Sequence, residues 1–103
     1  MQSIINIIEK DNETEIINSS IILISKIVLL KFIYKEGKEF YDYESEIEIL
    51  LSNGEHINIY STTSNSLIFK IFYDKKILET SDLQKFKEFC ISVISNGVVE
   101  SDE

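Results

Sequence analysis

The chain has 103 residues, a formal net charge of −8, 44% hydrophobic and 27% charged residues. This length suits one domain with a modest core, and this balance excludes an intrinsically disordered chain. Every basic residue is lysine, and a lysine-only, net-acidic chain argues against a nucleic-acid partner, whose phosphates favour arginine forks and positive charge.

In chain order, short runs rich in β-branched and aromatic residues predict a series of strands. The first covers Ser3 to Ile8, and a weak second covers Glu15 to Ile17. Ser20 to Ile24 and Ile27 to Lys35 follow, separated by a bend at Ser25-Lys26. Together they form the longest apolar run, but Lys26 and Lys31 interrupt it and it falls short of the roughly 20 residues that a spanning helix needs. A turn over Lys35 to Glu39 leads to the clearest hairpin, Tyr41 to Leu51 with Glu55 to Thr62. The polar stretch "STTSNS" (Ser61 to Ser66) then reads as a loop before a strand from Leu67 to Tyr73.

The last predicted element is a helix over about residues 81–96. Ser81 with Gln84 fits a capping box, Asp82 suits the first turn and Gly97 suits the residue after the end. Leu83, Phe86, Phe89, Cys90, Val93 and Ile94 recur at three- and four-residue spacing, which makes one apolar stripe for packing on the strands. Residues 1–99 thus read as a single β-rich domain, and 100–103 ("ESDE") as an acidic tail. The N-terminus "MQSIINIIEK" has no basic n-region, and a single cysteine fits a reducing compartment, so the expected location is the bacterial cytoplasm with no membrane partner.

The negative charge is concentrated. Residues 36–55 hold seven acids and one lysine, while residues 1–35 balance and residues 56–99 are nearly neutral. Within that segment Asp42, Glu44, Glu46 and Glu48 alternate along a strand that leads into Asn53-Gly54. Hairpin register decides which residues share a face. A two-residue Asn53-Gly54 turn mixes polar and apolar groups on both sides. A three-residue loop, Ser52-Asn53-Gly54, with Gly54 in the left-handed region, pairs Ile49 with Ile57 and Ile47 with Ile59. The opposite face then carries Leu50 beside His56, Glu48 beside Asn58, Glu46 beside Tyr60 and Glu44 beside Thr62. This second register predicts isoleucines facing the core and the four acids facing water.

Carboxylates about 7 Å apart on one face repel by only ~0.6 kcal/mol per neighbour in water, so solvation alone can sustain the row. Charge on an exposed strand also discourages aggregation. A binding role is favoured because the cross-strand neighbours on the hairpin are Asn58, Tyr60 and Thr62 rather than lysines, and tyrosine and asparagine beside fixed charge suit recognition. The candidate partner-binding residues are therefore Asp42, Glu44, Glu46, Glu48, His56, Asn58 and Tyr60.

Other chemistries find little footing. Acid–base catalysis by a carboxylate pair needs one acid raised by burial, and four equivalent exposed acids offer no such asymmetry. Strand acids do not wrap a calcium ion, and one histidine with one cysteine is too few for zinc. Cys90 lies on the apolar stripe, where a thiol is inert. The expectation is a protein that is not an enzyme and uses no cofactor.

The expected architecture is α+β: a bent antiparallel sheet of five to seven strands, a roll or half-barrel, capped by one C-terminal helix. This order of short strands followed by one helix resembles that of bacterial pleckstrin-homology-like domains. In size, acidity and lack of catalytic residues the chain resembles the immunity proteins of bacterial toxin–immunity pairs. That class resemblance implies a small inhibitor that neutralises a basic protein partner, a toxin or nuclease domain whose cationic groove an acidic face can plug. The alternatives are a phage-encoded inhibitor of a host defence nuclease and a non-inhibitory interaction module.

Overall fold

The computed structural model describes residues 3–11, 15–34, 43–62, 65–95 and 97–102. Its strands are β1 (Ile4–Asp11), β2 (Ile16–Leu23), β3 (Ile27–Tyr34), β4 (Tyr43–Leu51), β5 (His56–Thr62), β6 (Asn65–Tyr73), β7 (Lys76–Thr80) and β8 (Val98–Asp102). A single 3-10 turn, Ile24–Lys26, separates β2 from β3, and the helix α1 (Leu83–Val93) separates β7 from β8. The predicted bend at Ser25-Lys26 is thus present as that turn. The two short strands expected between Glu15 and Ile24 are one continuous strand, β2.

The strands form two four-stranded sheets, ordered β2-β1-β6-β7 and β5-β4-β3-β8. This corrects the expectation of one bent sheet of five to seven strands. All pairings are antiparallel except β3 with β8, which run parallel. The difference lies in the pairing: β1 joins β2 to β6 while β3 joins β4, and among the described residues no ladder links the two sets; β7 and β8 then each add an edge that the sequence reading did not contain. The β6–β7 turn is built on Asp74 and Lys75, with φ of 48° and 64°. This is the left-handed region that two-residue hairpins need and that glycine or asparagine usually fills. A non-glycine pair there left no punctuation in the sequence.

Alternation along the strands sends Ile5, Ile7, Phe69 and Ile71 of one sheet, and Leu30, Phe32, Ile47 and Ile49 of the other, into a shared core. The helix joins the edge strands β7 and β8 and wedges between the sheets. Phe86 stacks on Phe69 of the first sheet (ring centroids 4.0 Å apart, 9° between planes) and meets Phe32 of the second edge-on at 6.0 Å. Phe86, Cys90, Val93 and Ile94 of the predicted stripe are buried, with Leu83 and Phe89 packed at its margin.

The helix is shorter than predicted at both ends. Its N-cap is Asp82, one residue later than Ser81, because the Asp82 carboxylate accepts from the amides of Gln84 and Lys85 (2.9 and 3.3 Å) and so satisfies two otherwise orphaned donors. The C-terminal glycine acts differently from a helix stop. A Cβ on Gly97 would lie 2.4 Å from the Ile27 carbonyl oxygen and 2.9 Å from that of Val28. Gly97 is therefore the point where the chain passes close to the start of β3 before pairing with it. Gly97→Ala is expected to cost about 1–3 kcal/mol by forcing backbone apart, seen as a lowered Tm with no change in the helix signal by circular dichroism.

The expected acidic tail also changes character. Glu100 to Asp102 belong to β8, alongside Lys31 to Ile33 of β3. Among the described residues no helix is long and apolar enough to cross a membrane.

Candidate protein-binding face

The acidic strand is β4, and its neighbours decide what its side chains meet. The β4–β5 register pairs Ile49 with Ile57, Ile47 with Ile59, Leu50 with His56, Glu48 with Asn58 and Glu46 with Tyr60. Gly54 has a φ of 91°, and the Leu51 amide donates to the Glu55 carbonyl across the three-residue loop. The predicted register is the observed one down to Glu46. Beyond it the ladder shifts between Tyr43 and Ser45, so Thr62 stands opposite Tyr43 rather than Glu44. Asp42 and the Glu44 side chain lie outside what is described.

β4 is an interior strand, however, and β3 on its other side completes the face. Three rows cross the outward side of this sheet. Asn58, Glu48, Lys31 and Glu100 form one; Tyr60, Glu46 and Ile33 form the next; His56, Leu50, Leu29 and Val98 form the third. The face thus combines carboxylates with half-buried apolar groups, and it includes two residues that sequence reasoning missed, Lys31 and Glu100. Glu100 was legible in principle: Val98, Glu100 and Asp102 alternate with Val99 and Ser101, a period-two pattern hidden by reading the segment as a tail.

Two features correct the predicted row of water-facing acids. Glu46 is only 8% exposed. Its Oε1 accepts a hydrogen bond from Asn58 Nδ2 at 2.8 Å, and Tyr60 and Ile33 flank it on either side. The expectation treated the hairpin as a two-stranded ribbon, whereas a strand with neighbours on both sides loses much of its solvent. Glu46 is therefore a fixed, partnered charge that orients Asn58. The second feature is Lys31, which stands in register between Glu48 and Glu100. Cross-strand neighbours of this kind lie ~5 Å apart at Cβ, so one lysine stands in the row between two acids. Glu46, Glu48 and Glu100 still outnumber it.

Tyr60 and His56 are exposed at the β5 edge, with Asn58 between them. The Tyr60 carbonyl accepts from Asn65 Nδ2 at 3.2 Å, which ties the end of β5 to the start of β6 and holds this edge in place. Every buried side-chain nitrogen or oxygen among the described residues has a hydrogen-bond partner.

Elsewhere, burial pushes the Cys90 thiol up to about 12, so it is not a nucleophile at neutral pH. Among the described residues no group of three or more His, Cys, Asp or Glu side chains is placed to hold a metal ion. No protein-family model matches the chain, and neither the curated proteins nor the solved structures contain a match to it.

Proposed function

We propose that the outward face of the β5-β4-β3-β8 sheet binds a basic protein partner and neutralises it. The most concrete form of this reading is an immunity protein that blocks a nuclease-type bacterial toxin in the cytoplasm. The observation that supports it is the row Asn58–Glu48–Lys31–Glu100, two carboxylates on either side of one lysine, next to the Glu46–Asn58 hydrogen bond and the exposed Tyr60. A rigid sheet presents these groups with little ordering cost, and an aromatic anchor beside charge is a common hot-spot composition. A nuclease must offer cationic groups to phosphate, and those groups are complementary to this row.

The role of the acids differs across the face. Glu48 and Glu100 are the steering charges, whose interaction with a partner falls with salt. Glu46 holds Asn58 in a fixed rotamer, so its contribution is orientation. Three acids on one face are far sparser than the phosphates of a duplex, and the mode is local plugging of a basic site rather than mimicry of DNA.

The test pairs the chain with a nuclease-type toxin domain, sought first among the genes that neighbour its own. Co-expression is expected to rescue growth, and the purified proteins to show stoichiometric loss of nuclease activity. Reversing charge at Glu48→Lys and Glu100→Lys together is expected to weaken inhibition by at least about 100-fold, mostly through slower association, with the fold retained by far-UV circular dichroism. Inhibition that survives both reversals, or a neighbour whose activity is untouched, would refute the reading.

A further inference from the structure

The opposite side of the molecule carries an apolar band. On the outward face of the β2-β1-β6-β7 sheet, register sets Leu23, Ile4, Phe72 and Ile77 in one row and Ile21, Asn6, Lys70 and Glu79 in the next. Ile8 and Ile68 continue the floor beyond them. Ile21 is 69% exposed and Ile77 is 70% exposed, one on each edge strand. Isolated exposed isoleucines are ordinary, but here the half-buried Leu23, Ile4 and Phe72 join the two edges into one apolar band, which marks an interface. Beside Ile77 a pocket of about 260 Å³ opens, lined by Ser3, Phe72, Ile77 and the residues of the β6–β7 turn.

We propose that this face packs against the same face of a second copy, making a two-fold symmetric dimer with its acidic faces pointing outward. Charge supports a second copy over other occupants. The face itself carries Lys10, Lys70 and Glu79 and is close to neutral, although the chain as a whole is at −8. The acids of the other sheet lie on the far side of the sandwich. With stacked sheets ~10 Å apart, the two acidic faces of the dimer would be about 30 Å from each other, well beyond the ~8 Å screening length. An anionic lipid surface would instead repel the chain.

Size fits as well. A four-stranded face with strands of 8, 8, 9 and 5 residues covers roughly 500 Å² in plan and more as accessible surface, near the ~800 Å² per partner of a standard interface. A two-fold axis along the strands lays β2 of one copy over β7 of the other. Ile21 and Leu23 at one edge then meet Ile77 and the pocket beside it, and the contact repeats by symmetry.

Pairing through the β2 edge is the competing geometry, since that strand bears no charge and no proline. The Ile24 amide donates to Ser3 of the neighbouring strand, so by alternation Ser19, Ile21 and Leu23 direct their backbone groups outward. The Ser19 amide, however, is already taken by Asn18 Oδ1 at 2.9 Å. Strand addition would have to break that bond, whereas face stacking leaves it intact.

Sedimentation equilibrium of the purified chain at micromolar concentration tests the proposal. The expected mass is twice the 12.0 kDa of the monomer. Ile21→Asp and Ile77→Asp, each alone, are expected to weaken association by at least about 100-fold while far-UV circular dichroism and Tm stay as in the parent. Should either aspartate variant unfold, Ile21→Thr and Ile77→Thr keep the strand propensity and are expected to shift the equilibrium in the same direction. A parent chain that sediments as a monomer overturns the proposal. So does a dimer that Ile21→Asp dissociates and Ile77→Asp does not, which would identify pairing through the β2 edge.

Discussion

Ile49→Asp is expected to unfold the domain, while its neighbour change Glu48→Ala leaves Tm within a few degrees. Ile49 is fully buried in the core on the inward side of β4, opposite Leu30 and Ile57. An aspartate there has no cation among the packed hydrocarbons to pair with it, so it must either stay charged in a poor dielectric or take up a proton. Both routes, together with the lost apolar volume, cost more than about 4 kcal/mol, a large share of the ~5–15 kcal/mol that holds a domain of this size. Glu48 is half-buried on the outward side, and its removal deletes only a solvent-screened charge in register with Lys31. Urea denaturation of both variants measures the contrast. The opposite ranking would mean that the two faces of β4 are exchanged.

Phe86→Ala is expected to cost about 3–5 kcal/mol and to loosen both sheets together. Phe86 is fully buried and is the helical residue whose ring touches an aromatic from each sheet. Its truncation removes the stacked contact to Phe69 and the edge contact to Phe32 at one stroke, leaving a cavity at the junction of three elements. Because helix packing and sheet packing share this ring, thermal melts followed by far-UV and near-UV circular dichroism should shift by the same amount. A near-UV transition that precedes the far-UV one would show that the helix undocks independently. Phe86→Leu, which keeps most of the volume, should recover over half of the loss.

The hairpin and the helix stripe were legible in the sequence because each rests on a periodicity that contacts within the element already satisfy. The alternation of Ile47 and Ile49 with Glu46 and Glu48, closed by Gly54, admits one register that sorts polar from apolar groups, and that register is observed. The stripe from Leu83 to Ile94 names the buried side of the helix. What could not be read is which strands flank that hairpin. The partial burial of Glu46 and the placing of Lys31 beside Glu48 both depend on β3, whose register on β4 is not fixed by the turn predicted at Lys35 to Glu39, which lies outside the described residues. The division into two sheets depends on β1 pairing with β6 rather than with the β3–β4 set, and the edges β7 and β8 are short strands marked by a glycine-free turn and by an acidic end that resembles solvent-exposed chain. Local pattern thus revealed the alternation of the acids, and long-range pairing decided which of them reach water.

The parallel pairing of β3 with β8 has a consequence for how this chain reaches its native state. Leu29 and Val98, the first residues of that ladder, are separated by about two-thirds of the chain. Closing so long a loop is entropically costly and gives no return until the intervening hairpins and helix are in place. During synthesis β3 emerges early and must wait, with one backbone edge bare, until the final residues of the ladder leave the ribosome. The last step in forming this sheet therefore waits for β8, and the interval before it is when the nascent chain is most open to aggregation or to proteolysis.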